Sequence, residues 1–261
     1  MASLTLQSLA NPDTTEQRVF DILNDHLRNS TPASETATAI NAWTPTEDAE
    51  AIESFLWSVW AVFIHIAKQI PHDDAAQDQL VEVITALTAL PPRTIQIWDS
   101  ETRLWTDLPI LGPSLRESWN QPTAPAYTSS TPQATTEWIN LQAFTARLMS
   151  RRDPSLSLFA VWSLRSALEE ELKGAERDGE VAAATMWMLY GGQALFEQSN
   201  DAVKTEEMER MMKPGPLYAG QGQLCAERWQ FWNRRLGELQ EEVSEETKGL
   251  IQSARERTAG H

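Results

Sequence analysis

The chain has 261 residues, with 21 Lys and Arg against 37 Asp and Glu, and its formal net charge at pH 7 is −16. Such an acidic surface repels polyanions, so we expect no nucleic-acid partner. The single cysteine, Cys225, excludes an intramolecular disulfide and a cysteine-based zinc cluster, and it fits a reducing compartment. No basic segment followed by an apolar one opens the sequence, so we expect a cytoplasmic protein without a secretion signal.

Apolar residues recur at helical spacing along most of the chain, and alternating runs typical of strands are scarce. The pattern predicts an all-α fold, a single irregular helical bundle of about eight to nine helices in one domain. We expect N-terminal helices within 13–90, a connection over 91–132, C-terminal helices within 133–241 and a charged tail helix over 242–261. The individual helices are expected at 13–28, 46–69, 74–89, 135–151, 155–173, 179–198, 201–212, 222–241 and 244–257.

The connection over 91–132 contains seven prolines, which break any extended helix. Trp98, Trp105 and Trp119 punctuate its first part, so we expect that part to pack across the helices rather than to hang free. If those three rings instead form one exposed apolar surface, the 91–119 segment is where a protein partner would dock.

The most apolar stretch, Phe55–Ile70, is shorter than the roughly 20 residues of a bilayer span, so we expect a core helix and no membrane span. Ser58, His65 and Gln69 form one narrow polar stripe on it. The simpler interpretation is a polar edge at solvent or a satisfied core histidine. The functional alternative makes His65 a catalytic acid, a base or a ligand donor in a cavity.

Three aspartates, Asp73, Asp74 and Asp78, follow Pro71 at the start of the next predicted helix. Carboxylates there cap the helix and oppose its dipole, which is explanation enough for most such clusters. The sharper alternative is an Mg²⁺ site that holds a diphosphate, with Asp78 as a catalytic candidate. Outside that alternative we expect no metal and no cofactor.

Large aromatic rings and buried arginines supply the other candidates for a binding site. Arg165 shares a face with leucines, so it needs an acceptor, either in an ion pair or on an anionic ligand. Gly191 and Gly192 indicate close helix packing or room for a ligand. On the 222–241 helix the predicted core stripe is Cys225, Trp229, Trp232, Leu236 and Leu239, and Arg228 is expected to pair with Glu227 or Glu238. The full ligand-binding set is Trp57, Trp60, His65, Arg165, Trp187, Tyr190, Arg228 and Trp232.

An ordered series of short motifs gives the chain a family resemblance. The motifs are Trp57-x-x-Trp60, His65-Ile66-Ala67, Gln77-Asp78-Gln79-Leu80-Val81, Leu104-Trp105-x-Asp107-Leu108-Pro109, Asn140-Leu141-x-Ala143-Phe144-x-Ala146-Arg147 and Glu227-Arg228-Trp229-x-Phe231-Trp232. In this order they resemble a fungal family with a domain of unknown function, associated with oxopyrrolidine and other secondary-metabolite clusters. The resemblance implies a filamentous fungus and secondary metabolism, and it carries over no catalytic residue.

The sequence leaves three functional hypotheses open, one of which is an enzyme. The leading hypothesis is a fungal protein of secondary metabolism that binds an apolar small molecule in a tryptophan-lined cavity. The second is a non-catalytic helical module for protein interaction. The third is an unconventional Mg-dependent terpene cyclase-like lyase acting on an isoprenoid diphosphate, because some fungal sesquiterpene cyclases resemble this family. The chain lacks their usual motifs, so whether it is an enzyme stays open.

Overall fold

The structure is a computed structural model that describes residues 4–46, 48–122, 133–201 and 205–258. These residues form eleven α-helices, two 3-10 helices and one two-stranded antiparallel hairpin. The all-α prediction is therefore confirmed in its broad form. The helices are more numerous than expected, and the hairpin was not predicted. The chain divides into two compact units, Met1–Asn120 and Gln121–His261, while the single-domain expectation stays a prediction.

The first unit contains five helices and the hairpin. In chain order these are α1 (Thr14–Asn29), α2 (Ala33–Asn41), α3 (Ala49–Gln69), α4 (Ala76–Thr88), β1 (Thr94–Ile97), β2 (Ser100–Arg103) and α5 (Leu111–Ser118). The hairpin register pairs Ile97 with Ser100, so a two-residue loop joins the strands. Helix α3 contacts α1, α4, α5 and β1, which makes it the centre of this unit.

Helix α3 is the one described helix whose length and composition would allow it to cross a membrane. It has 21 residues, more than the predicted apolar stretch, because it continues back to a start where Asp48 accepts a hydrogen bond from the Glu50 amide. Ten of its side chains are buried in the first unit. Such burial is typical of a core helix.

The second unit is built around one long helix. Its elements are α6 (Gln133–Arg151), a 3-10 turn (Pro154–Leu156), α7 (Ser157–Leu168), α8 (Gly174–Asp201), α9 (Glu206–Met211), α10 (Ala226–Leu239), a second 3-10 turn (Gln240–Glu242) and α11 (Glu245–Thr258). Helix α8 contacts α6, α7, α10 and α11. Its residues from Val181 to Leu189 are buried, since neighbours cover it on several sides.

The paired glycines of α8 allow two helices to approach it closely. A Cβ at Gly191 would lie 2.7 Å from Met149 Cε of α6, and one at Gly192 would lie 2.8 Å from Thr258 Cγ2 of α11. A side chain at either position would require Met149 or Thr258 to shift. Close packing, the commoner of the two predicted reasons, therefore explains both glycines.

Candidate functional site

The polar stripe of α3 is occupied by the N-terminal segment of the first unit. His65 Nε2 lies 2.9 Å from the Gln7 carbonyl oxygen, and Gln69 Nε2 donates to that same oxygen. Gln69 in turn accepts from the Gln7 amide at 2.7 Å, and the Ser58 hydroxyl donates to Asp13 at 3.1 Å. The half-buried His65 side chain therefore contacts the backbone of the N-terminal segment. This corresponds to the simpler interpretation, a structural histidine.

The three aspartates after Pro71 do not gather around a common point. Asp73 and Asp74 are exposed, and Asp74 Oδ1 accepts from the Ala76 amide at 2.8 Å, at the start of α4. Within the described residues, no group of three or more His, Cys, Asp or Glu side chains is placed to hold a metal ion. The helix-cap interpretation accounts for Asp74, and the arrangement gives the Mg²⁺ alternative no support.

The tryptophans of the predicted binding set are mostly core residues with bonded indoles. Trp60 is fully buried and donates to the Pro109 carbonyl at 2.7 Å. Trp187 is fully buried and donates to Gln142 Oε1, which also accepts from Ser163. Trp57 is half-buried at the surface of the first unit. None of these rings lines the pockets of about 610, 190 and 40 Å³ found among the described residues.

A buried ion pair between Glu169 and Arg228 organises the second unit. Both side chains have no solvent exposure, and Arg228 Nε lies 2.7 Å from Glu169 Oε1. The same carboxylate accepts from Trp232 Nε1 at 2.7 Å. Arg228 also donates to the Met212 and Gly222 carbonyls. Two predicted ligand-binding residues, Arg228 and Trp232, therefore use their polar groups in hydrogen bonds within the core. Arg228 pairs with Glu169 instead of with Glu227 or Glu238.

Glu169 also holds the loop that leads to α10. Gly215 donates its amide to Glu169 Oε2 at 2.7 Å, and Leu217 donates to the Glu169 carbonyl at 3.0 Å. A Cβ at Gly215 would lie 2.7 Å from that carbonyl oxygen, so only glycine fits there. The loop next packs Tyr218 against Phe231, and burial raises the pKa of the Tyr218 phenol, helped by its contact with Cys225.

Tyr190 and Arg165 are partnered within the second unit. The Arg147 guanidinium lies 3.4 Å from the centre of the half-buried Tyr190 ring, a cation–π stack. Arg165 pairs with Glu170 at 2.8 Å, the carboxylate partner that its apolar neighbours predict. Arg165 Nε is buried with no hydrogen-bond partner among the described residues.

A pocket of about 190 Å³ lies beside this network, and we call it the Arg235 pocket. The end of α7, the start of α8, the loop held by Glu169, and α10 form its walls. Its lining combines three cationic side chains, two carboxylates and four apolar residues: Lys173, Arg177, Arg235, Glu170, Glu171, Ala167, Leu172, Leu217 and Leu239.

The ion pairs around the Arg235 pocket leave its cations only partly engaged. Arg235 donates to Glu238 at 3.2 Å, while its Nε is buried without an acceptor among the described residues. Arg177 pairs with Glu242 and also donates to the Leu172 carbonyl. Glu170 of the wall is likewise paired, with Arg165. By formal charge the lining carries one more cation than carboxylates, next to four apolar side chains, and Glu238 and Glu242 outside the lining pair with two of the cations.

Comparison with known proteins assigns the chain to a family. The family model described as protein of unknown function, DUF3632, matches residues 60–236, well over half of the chain. The chain belongs to this family. No curated protein and no solved structure matches it. The predicted resemblance to a family of unknown function is thereby confirmed.

The DUF3632 match includes the Glu169–Arg228 pair, the Gly215 turn and every residue lining the Arg235 pocket except Leu239. Sequence reasoning missed most of this pocket, because its walls come from three separate parts of the chain. One signal was present: Arg235 follows Arg228 by seven residues, which places both on one side of α10.

Proposed function

We propose that this DUF3632 protein binds a small apolar molecule carrying a carboxylate, and that the ligand enters the Arg235 pocket. The observation that carries the proposal is that three cations, Lys173, Arg177 and Arg235, line one pocket together with four apolar side chains. Such sites orient a ligand with a few polar groups while apolar side chains supply contact area. A carboxylate matches the forked donors of arginine.

The size of the pocket limits the ligand. Its volume of about 190 Å³ is below the roughly 300–1,000 Å³ typical of sites for drug-sized molecules. A short alkyl or aryl carboxylate therefore fits, whereas a larger ligand would extend through the mouth. The proposal keeps the expected apolar ligand and places it beside the tryptophan core rather than between the indole rings.

The proposal extends to the biological setting. We propose a cytoplasmic protein that serves secondary metabolism in a filamentous fungus, and the ordered motifs shared with such a family support this. Neighbouring genes test it. Genes for a biosynthetic pathway beside this one would support the setting, while isolation among housekeeping genes would contradict it.

Calorimetric titration of the full chain with octanoate tests the ligand chemistry, and 1-octanol is the matched ligand without a charge. We expect one octanoate per chain and binding of 1-octanol weaker by about tenfold or more, because a hydrogen bond to a charged group contributes about 1.5–3 kcal/mol. Equal affinities for both ligands would contradict a carboxylate site, and so would no binding of octanoate.

A further inference from the structure

The tip of the hairpin in the first unit holds a tryptophan in an unfavourable backbone conformation. Trp98 and Asp99 form the two-residue loop, with φ of 49° and 62°. Both central residues of such a tight turn need positive φ, so asparagine and glycine are preferred there. Asp99 is tolerated in this region, but a bulky side chain such as that of Trp98 is an outlier.

The exposure of Trp98 means that burial does not compensate for this strain. Its side chain is 59% exposed, the most exposed large apolar residue described. Its indole Nε1 donates to Glu53 Oε1 at 3.0 Å. Backbone strain that burial does not offset is common at functional positions. The hairpin tip therefore leaves an aromatic ring exposed to solvent.

A second indole and a carboxylate adjoin Trp98. Trp57 Nε1, on α3, lies 3.4 Å from the same Glu53 Oε1. Both indoles thus share one oxygen of Glu53, and a carboxylate with two oxygens can accept further hydrogen bonds. An aromatic face beside a carboxylate suits a cationic side chain. The ring attracts the positive charge electrostatically, and a carboxylate oxygen can accept a hydrogen bond from the cation.

The charge of the first unit favours a cationic partner as well. Residues 1–120 contain 17 Asp and Glu but only 6 Lys and Arg. Asp99 and Glu101 are exposed next to Trp98, and Glu50 is exposed one turn before Glu53 on α3. Such a field steers basic partners toward the surface and repels acidic ones.

We propose that Trp98, Trp57 and Glu53 form a docking surface for a basic segment of a partner protein, with an arginine or lysine head seated on the Trp98 ring and bonded to Glu53. The surface lies in the first unit and is independent of the Arg235 pocket. Of the three tryptophans that the sequence grouped for docking, Trp105 is buried and Trp119 is half-buried, so Trp98 carries this role without them.

Fluorescence anisotropy of the full chain tests the surface, with a short labelled peptide of alternating arginine and glycine as the probe. We expect Trp98→Asn and Glu53→Gln each to weaken binding by about tenfold, in line with a desolvated cation–π contact. The matched controls are Trp43→Ala, which removes another exposed indole, and Glu82→Gln, which removes an exposed charge on α4. Each control should change affinity by less than about twofold.

Thermal unfolding of each variant distinguishes a loss of binding from a loss of folded protein. Because asparagine suits positive φ, Trp98→Asn should keep or raise the melting temperature while it weakens binding. Equal losses from Glu53→Gln and Glu82→Gln would overturn the proposal in favour of diffuse charge attraction. Failure of the wild-type chain to bind the arginine peptide would overturn it too. So would self-association in sedimentation that Trp98→Asn abolishes, because the occupant would then be a second copy.

Discussion

Arg228 Nε lies 2.7 Å from Glu169 Oε1, with both side chains fully removed from solvent. Taking two charges out of water costs several kcal/mol for each ion, so the pair persists only because its other polar groups are also bonded. Glu169 receives further bonds from Gly215 and Trp232, and Arg228 donates to two loop carbonyls. The pair thereby ties α10 and the loop before it to the end of α7, where the Arg235 pocket lies.

Removing one partner of this pair should be costly. We expect Arg228→Met to lower the free energy of unfolding by about 3–5 kcal/mol, because Glu169 would remain buried without its counter-charge. Urea denaturation measures the change. The control is Arg234→Met, which removes a side chain that is 65% exposed and should cost less than about 1 kcal/mol. A loss below about 1 kcal/mol for Arg228→Met would show that the pair is accessible to water.

Trp232 combines a large buried ring with a bond to Glu169. We expect Trp232→Ala to cost about 3–5 kcal/mol, because the cavity cannot close and the carboxylate loses a donor. Trp232→Phe keeps much of the ring and loses only the donor, so it should cost about 1–3 kcal/mol. Equal costs in chemical denaturation would mean that the bond, not the ring volume, dominates.

Gly215 is expected to be intolerant of a side chain. A Cβ there would lie 2.7 Å from the Glu169 carbonyl oxygen, so Gly215→Ala should destabilise the fold by about 1–3 kcal/mol through overpacking. A Cβ at Gly249, inside α11, would meet no atom within 4 Å, so Gly249→Ala should stabilise the fold by up to about 1 kcal/mol. Thermal unfolding of the two variants should shift in opposite directions.

Acid should weaken the hydrogen bonds that Asp107 accepts at the end of β2. Hydrogen bonds from the Arg103 side chain, then from its backbone amide, hold the pKa of the Asp107 carboxyl below its ordinary value. Its contribution is therefore complete above the unfolded pKa of about 3.9 and is lost as pH falls through the lower folded pKa. The protection factor of the Arg103 amide against hydrogen exchange, followed by NMR, should fall below about pH 4. In Asp107→Asn the protection factor should not change with pH in this range.

Local signals in the sequence predicted the helices that carry their own caps and stripes. Asp13 and Glu16 form a capping box, and the prediction of a helix from residue 13 places the start of α1 within one residue. In α10, four of the five residues of the predicted core stripe, Trp229, Trp232, Leu236 and Leu239, are buried, whereas the fifth, Cys225, is only half-buried at the start of the helix. Helix α2 was missed because its nine residues include few large apolar side chains. The hairpin was missed because its Trp98–Asp99 loop lacks the usual asparagine and glycine.

Contacts between distant parts of the chain could not be predicted in the same way. Arg228 had acidic neighbours in sequence, but its partner Glu169 lies 59 residues away. His65 meets a backbone carbonyl of Gln7, which no side-chain pattern indicates. The Arg235 pocket likewise depends on how α7, α8 and α10 pack. Residue spacing predicts which side chains share one face of a helix. A binding site also depends on how other helices pack against that face, which the spacing along one helix does not give.

Octanoate binding by two single variants tests the location of the ligand site most directly. Arg235→Met removes a cation from the pocket wall, and Arg234→Met removes its exposed neighbour on the same helix, outside the pocket lining. The account predicts that calorimetry will show affinity falling by about tenfold or more for Arg235→Met and changing by less than about twofold for Arg234→Met. Equal losses in the two variants, or an unchanged affinity in Arg235→Met, would contradict it.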